Sequence, residues 1–126
     1  MREIKFRVWC RNRNEWEKEV CFIGLDGDVY QQRFASPVMI PVNKKNHIIM
    51  QYTGLKDKNG VEIYEGDVVE ITDYKYGNKF KGEISFKNGS FAVESTIATH
   101  YRFIDYEIEV IGNIYENPEL LEVQNG

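Results

Sequence analysis

The sequence predicts a mainly β fold: a small, strongly bent, SH3-like barrel with an added N-terminal hairpin and a short C-terminal helix. Aromatic residues make up 13% of the 126 residues and β-branched residues are frequent, a composition typical of strands. Many segments alternate polar and apolar residues with the period of two that a half-buried strand needs. Between residues 48 and 115 these segments are short and separated by tight-turn residues, which favours a small barrel.

The stretch from residue 50 to residue 74 organises the predicted fold. Residues 50–53 alternate as a half-buried strand, and the turn-forming residues 57–60 follow in a hairpin. An extended run resumes at Val61 and ends at a corner, residues 65–67. We expect Gly66 at this corner to adopt a backbone conformation that a β-carbon disfavours, and a further strand to begin at Val68.

The amino-terminal part is predicted to form a hairpin and an irregular connection. Residues 4–10 alternate as a strand, residues 11–14 form a turn, and residues 16–23 form the return strand. A turn at residues 25–28 and a short extended piece at 29–30 come next. Pro37 and Pro41 then bracket a short apolar run and disfavour a regular central strand there.

The carboxyl-terminal part is predicted to contain two more hairpins, a connection and a helix. A hairpin loop spans residues 75–81, centred on Gly77 and Asn78, and strands 83–86 and 90–93 are joined by an Asn-Gly turn. A long connection with one helical turn is expected over residues 94–106, followed by a strand at 107–115. A short helix starts at Asn117-Pro118.

We predict a single domain over residues 1–126, with the hairpin and irregular connection in 1–46 and the barrel core and short helix in 47–121. The charge of −4 and the pI near 5.2 argue against non-specific coating of nucleic acid. There is neither an apolar run long enough to span a membrane nor a signal-peptide pattern. A cytoplasmic location is therefore expected.

In the cytoplasm Cys10 and Cys21 would be reduced, and their apolar strand patterns favour buried small hydrophobes over a ligand or a disulfide. Because neither the cysteines nor the two histidines have zinc-like spacing, we expect no metal and no cofactor. His47 has the pattern of a surface or capping residue more than that of a ligand or base.

Four carboxylates lie close together in the central stretch: Glu62, Glu65, Asp67 and Glu70. Paired acids can perform acid and base catalysis or bind a divalent metal. A structural role is favoured instead, because Glu65 and Asp67 flank a turn glycine and Glu62 and Glu70 fit the solvent faces of strands. With two isolated histidines no nucleophilic constellation is indicated, so we predict that the protein is not an enzyme.

One basic segment interleaved with aromatic residues is the candidate contact for nucleic acid or a partner. Its members, with two lysines of the preceding turn, are Lys75, Tyr76, Lys79, Phe80, Lys81, Lys56 and Lys58. Lysines could neutralise phosphates while the rings stack on bases of a single strand. The alternative is a solvated hairpin tip whose Phe80 faces the core.

Three segments resemble the YopX family of phage and prophage proteins: REIKFRVW, IMQYTGLKDKNGVEIYEGDVVEI and VIGNIYENPELL. They span almost the full chain in the same order. One departure is Cys10, which stands where an acidic or turn-type residue often follows the Trp. The resemblance implies a bacterial or phage origin, a cytoplasmic setting and a mostly β structure, and it transfers no catalytic residue.

Two functions remain open at this point. The first is a small non-catalytic interaction module that binds another phage or host protein through a sheet edge or a groove. The alternative is a weak nucleic-acid-binding barrel that uses the basic segment. Open strand edges and few prolines to block them also predict a homo-oligomer.

Overall fold

Strands form nearly all the regular structure of the residues that this computed structural model describes, which are 3–32, 38–95, 98–100, 103 and 106–121. The prediction of a mainly β fold is confirmed. The chain forms two compact units. The smaller unit is Phe6–Met50, and the larger unit combines Met1–Lys5 with Gln51–Gly126.

The smaller unit contains two groups of antiparallel strands. Its strands are β1 (Phe6–Cys10), β2 (Glu15–Trp16), β3 (Cys21–Ile23), β4 (Val29–Gln32), β5 (Met39–Pro41) and the start of β6 (His47–Lys56). One group has the order β2-β1-β6 and the other the order β3-β4-β5. Trp9 lies opposite Trp16, and their rings meet edge to face at 5.0 Å. This aromatic pair holds the first hairpin closed.

The predicted return strand over residues 16–23 is wrong, because it divides into β2 and β3, which belong to different sheets. The backbone N–H of Glu17 still donates to the carbonyl of Val8, at 2.9 Å. The carboxylate of Glu17 then accepts a hydrogen bond from the N–H of Glu19, which turns the chain away. From Cys21 onward the chain pairs with β4 instead.

The larger unit is built on a five-stranded sheet of order β11-β10-β9-β8-β12. These strands are β8 (Asp67–Asp73), β9 (Lys79–Lys87), β10 (Ser90–Glu94), β11 (Thr99–His100) and β12 (Tyr106–Asn113), and the end of β6 pairs separately with β7 (Glu62–Tyr64). The core consists of Ile63, Val69, Ile71, Ile84, Val93 and Ile108. One face of the five-stranded sheet and strand β7 therefore enclose the same apolar core.

The turns of the larger unit follow their predicted chemistry. Asn88 and Gly89 both have positive φ, at 53° and 82°, as a two-residue hairpin of the primed type requires. Gly66 has a φ of 82°, in the left-handed region expected at the corner. The predicted corner is therefore confirmed.

The sheet of the larger unit is curled as a half-barrel, and a bulge between Val110 and Gly112 adds to its twist. Within the described ranges the edge strands β11 and β12 do not pair, so closure into an SH3-like barrel is not established. At the predicted C-terminal helix there is a single 3₁₀ turn, Pro118–Leu121, and a longer helix is not confirmed. The described residues contain no helix with the length and apolarity to cross a membrane.

Part of the predicted connection over residues 94–106 forms strand β11, which pairs with Val93 and Glu94. The helical turn predicted within it falls largely on residues 96–97, 101–102 and 104–105, outside the described part of the chain.

Candidate functional site

The predicted basic segment is split between a turn and a strand. Lys75 and Tyr76 lie at the exposed turn, where the Lys75 ammonium is 5.2 Å from the Tyr76 ring centre and Tyr76 is 72% exposed. Lys79, Phe80 and Lys81 belong to β9. The prediction of a loop up to residue 81 is therefore wrong: Phe80 pairs with Ile71 of β8, and its contact with the core extends the strand.

Phe80 is half-buried, packs against the core and stacks on His100, with ring centres 5.7 Å apart. Its ring is therefore committed to the interior, as the alternative interpretation of this segment supposed. Of the aromatic side chains in the basic segment, Tyr76 is the one that faces solvent.

Carboxylates stand between the lysines of the candidate contact. Lys79 lies 3.8 Å from Glu70, and Lys81 lies opposite Glu70 on the neighbouring strand. Lys58 lies 3.3 Å from both Glu107 and Glu109 on β12. Strands β8 and β12 lie between Lys58 and β9, so the structure does not bring Lys58 together with Lys79 and Lys81. Lys56 is exposed at the end of β6.

The four central carboxylates have separate structural contacts. Glu62 pairs with Lys5 at 2.7 Å, and Glu65 accepts a hydrogen bond from the N–H of Gln51. Asp67 is buried and accepts a hydrogen bond from the N–H of Tyr64 at 2.8 Å, which closes the corner around Gly66. Glu70 faces Lys79 on the sheet surface. These contacts favour the structural interpretation of the acids.

A polar cavity of about 300 Å³ lies within the smaller unit. Cys10 from the end of β1, Glu17 just after β2, and His47 from the start of β6 all line it. One potential ligand atom from each of the three residues lies within 4.8 Å of the other two. The topology therefore gathers a thiol, a carboxylate and an imidazole from three separate segments.

Glu17 lies at the centre of this cluster, with a side chain that is 2% exposed. Its Oε2 is 2.6 Å from the Arg13 guanidinium and 3.2 Å from His47 Nε2. Burial alone would raise the pKa of Glu17, but hydrogen bonds from the Glu19 N–H and Arg13, with the charges of Arg13 and His47, lower it. The carboxylate is thus ionised at neutral pH.

Cys10 is buried, as expected. Its thiol has polar contacts, however, and not the apolar ones of a small hydrophobe. Its Sγ donates to Asn12 Oδ1 at 2.8 Å and accepts from Arg13 Nε at 3.2 Å. The hydrogen bonds from Arg13 to Cys10 and Glu17 raise the pKa of Arg13. The guanidinium therefore bridges the thiol and the carboxylate as a fixed positive charge.

His47 has an oxygen beside each ring nitrogen. Nδ1 lies 2.9 Å from the carbonyl oxygen of Asn43, and Nε2 faces Glu17. A neutral ring donates from one nitrogen alone, so the other nitrogen faces an oxygen lone pair unless it binds a proton or a metal ion. The side chain is 13% exposed and its Nδ1 contacts the Asn43 carbonyl, so His47 is half-buried and has a contact expected of a capping residue.

Glu17 was not among the predicted site residues, while Cys10 was predicted as a buried small hydrophobe and His47 as a surface or capping residue. The three residues are separated by 7 and 30 positions and carry no ligand-type spacing. Only the pairing of β1 with β2 and β6 brings them together. In the sequence, the one feature that could have indicated a buried Glu17 is its position as a charged residue between two apolar strand patterns.

The smaller unit also exposes an apolar sheet face. Pairing across β3-β4-β5 places Phe22, Tyr30 and Pro41 in one row, with Met39 on the same side. Phe22 is 46% exposed and Met39 38% exposed. We call these four residues the outer face, because Val29, whose side chain points to the opposite side of β4, is buried.

A second concavity, of about 490 Å³, lies in the larger unit. Its lining includes Leu55, Ile63, Tyr74, Phe103, Tyr106 and Ile108. It is therefore largely apolar, unlike the cavity of Cys10, Glu17 and His47.

Comparison with known proteins identifies similar sequences. A family model described as YopX protein matches residues 5–122. The SPbeta prophage-derived protein YopX of Bacillus subtilis strain 168 is 33% identical over 128 residues, an alignment that covers 93% of this chain and 95% of that protein.

Solved structures show the same fold. The crystal structure of protein yopX from Bacillus subtilis superposes with a TM-score of 0.66 and 26% identity, covering 99% of this chain and all of the other. The crystal structure of protein EF1440 from Enterococcus faecalis superposes with a TM-score of 0.64 and 31% identity, covering 97% of this chain and all of the other.

Proposed function

The chain belongs to the YopX family, and we propose that it is a small, non-catalytic module that binds another protein. The prophage origin of its Bacillus subtilis relative supports a phage or prophage origin for this chain as well. The partner is then a phage or host protein, met in the bacterial cytoplasm.

The observation that carries this proposal is the outer face, on which Phe22, Met39 and Pro41 are exposed and Tyr30 is half-buried. Contiguous apolar side chains on a protein surface mark sites of protein association more often than isolated ones do. Aromatic and methionine side chains are also enriched at the centres of interfaces. A partner that covers this face with apolar side chains would remove it from water.

We expect the partner to bind the outer face and not the open edge of β5. The Val42 N–H donates to the carbonyl of Val29, so the pairing pattern directs the backbone groups of Ile40 toward β4 and those of Met39 and Pro41 toward the open edge. Pro41 has no N–H to offer an added strand there. Addition of a partner strand to β5 is therefore disfavoured.

Site-specific photo-crosslinking tests the proposal. A photoreactive phenylalanine analogue at Phe22 is compared with the same analogue at Tyr76, which is exposed in the larger unit. In prophage-induced cells we expect one protein crosslinked from position 22 and not from position 76. Phe22→Lys combined with Met39→Lys should abolish capture of that protein by the tagged chain, with an unchanged circular dichroism spectrum.

Two outcomes would overturn the proposal. Equal crosslinking from positions 22 and 76 would indicate non-specific capture. A crosslinked product that contains only this chain, identified by mass spectrometry, would make the face a contact between copies and not a binding site for another protein.

A further inference from the structure

We propose that Cys10, Glu17 and His47 form a binding site for one divalent metal ion of the zinc type. This site is independent of the outer face and goes beyond the function proposed above. A thiolate, an imidazole and a carboxylate are the three side-chain ligands that zinc uses in proteins.

The spacing of the ligand atoms fits such an ion. Zinc lies about 2.0–2.3 Å from nitrogen, oxygen and sulfur ligands, so tetrahedral ligand atoms are roughly 3.3–3.8 Å apart. His47 Nε2 and Glu17 Oε2 are already 3.2 Å apart, and the three ligand atoms lie within 4.8 Å of one another. The three atoms are therefore close to the spacing of a tetrahedral site.

The contact between His47 and Glu17 requires a cation, a ring proton or a metal ion, between Nε2 and the carboxylate. Donation from Nδ1 to the carbonyl of Asn43, at 2.9 Å, would direct the lone pair of Nε2 toward Glu17. A second hydrogen bond of this kind orients most metal-binding histidines. A metal ion between Nε2 and the carboxylate would remove the contact between their lone pairs.

Arg13 is the competitor of the metal. Its guanidinium contacts both Cys10 Sγ, at 3.2 Å, and Glu17 Oε2, at 2.6 Å. The Arg13 side chain is 47% exposed, so it can turn toward solvent when the metal enters. On binding, the Cys10 sulfur bonds to the metal as a thiolate and its proton passes to water.

Titration of the purified chain with Co²⁺ alone, followed by Zn²⁺, tests the site. We expect saturation at one equivalent of Co²⁺ with a thiolate-to-cobalt charge-transfer band, loss of that band on adding Zn²⁺, and a rise in Tm. Cys10→Ser should remove the band. Glu17→Gln and His47→Ala should each weaken binding by about tenfold or more.

Two matched controls separate this site from other groups. Cys21→Ser and His100→Ala, which remove the other cysteine and the other histidine, should bind Co²⁺ like the unchanged chain. Arg13→Met should tighten binding severalfold because it removes a positive charge from the site. A misfolded variant cannot produce that gain, so this result distinguishes loss of a ligand from loss of the fold.

Three results would overturn the proposal. One is the lack of a thiolate band at millimolar Co²⁺. Another is a band that persists in Cys10→Ser, which would place the metal elsewhere. The third is weaker binding in Arg13→Met, which would mean that the cluster serves Arg13 alone.

Discussion

Asp57 joins two distant parts of the larger unit through its two carboxylate oxygens. Oδ1 accepts hydrogen bonds from the backbone N–H groups of Asn59 and Val61, at 2.8 and 2.9 Å. Oδ2 accepts one from Val110 on β12, at 2.9 Å. One buried side chain thus forms the turn after β6 and fastens it to the sheet.

Replacement of Asp57 by Ala should lower the free energy of unfolding by about 1–3 kcal/mol, because the backbone N–H groups of Asn59, Val61 and Val110 lose their acceptor. Urea denaturation would measure the change. Asp57→Asn keeps one acceptor oxygen and should cost less. Equal stability of Asp57→Ala and the unchanged chain would contradict this assignment.

The same residue should contribute to acid sensitivity. Burial alone would raise the pKa of Asp57, but the hydrogen bonds from Val110, Val61 and Asn59 lower it below its ordinary value. Its stabilising contribution is therefore complete above the unfolded pKa of about 4 and is lost as the pH falls through the lower folded value. Below pH of about 4 the unchanged chain should lose more stability than Asp57→Asn does.

Gly66 occupies a corner that other residues do not fit. Its φ is 82°, its N–H donates to the carbonyl of Ile84, and its carbonyl accepts from the N–H of Ile114, each at 2.9 Å. Gly66→Val should destabilise the protein by about 1–3 kcal/mol, and Gly66→Ala by less because it adds less bulk. A thermal melt of Gly66→Val within about one degree of the unchanged chain would refute this.

The β8–β9 hairpin carries the test of nucleic-acid binding. Glu70, which faces Lys79 and Lys81, and the net charge of −4 both oppose phosphate. We expect no saturable binding of short DNA or RNA oligomers at low salt, measured by fluorescence anisotropy. The three lysines of this hairpin that a test would replace, Lys75, Lys79 and Lys81, are exposed, so the fold should tolerate their substitution.

A saturable isotherm would contradict this expectation if it weakens with salt and is lost in a variant that changes Lys75, Lys79 and Lys81 to Glu. In that case Tyr76→Ala should weaken single-strand binding by about 1–3 kcal/mol, because Tyr76 is the exposed ring of the segment. The protein-binding proposal predicts neither effect.

Strand pairing places two like charges opposite each other on β9 and β10. Glu83 lies across from Glu94, and burial, with the charge of Glu94, raises the pKa of Glu83. An acid whose folded pKa is raised destabilises the fold while it is ionised, so the penalty is full above that pKa and vanishes below the unfolded value of about 4.

Glu83→Gln should therefore raise Tm at pH 7, and the gain should disappear near pH 4. Glu70→Gln is the matched control, since Glu70 faces lysines and its replacement should not stabilise. An equal Tm gain at both pH values would show that titration of Glu83 is not the cause.

For the whole molecule, the association of copies stays a prediction. Among the described residues no strand pairs with the outer edge of β3, and an unpaired strand edge favours a homo-oligomer. Light scattering at high micromolar concentration should show a mass above that of one chain. A monomer of 14.8 kDa would contradict it.

The sequence by itself determined the class of the fold and its turns. Asn88-Gly89, the turn after Asp57 and the corner at Gly66 were all predictable, because the φ values that a turn needs are set by the residues within it. Period-two alternation likewise located most of the strands, since it depends on neighbours in the chain.

Only the tertiary structure decided which strands pair and which side chains meet. Residues 21–23 pair with β4 and not with β1, and Lys79–Lys87 begins earlier than its pattern indicated because Phe80 packs against the core. Cys10, Glu17 and His47 meet because β1, β2 and β6 share a sheet. A ligand set drawn from three segments has no spacing in the chain, so it becomes visible only when the strands are paired.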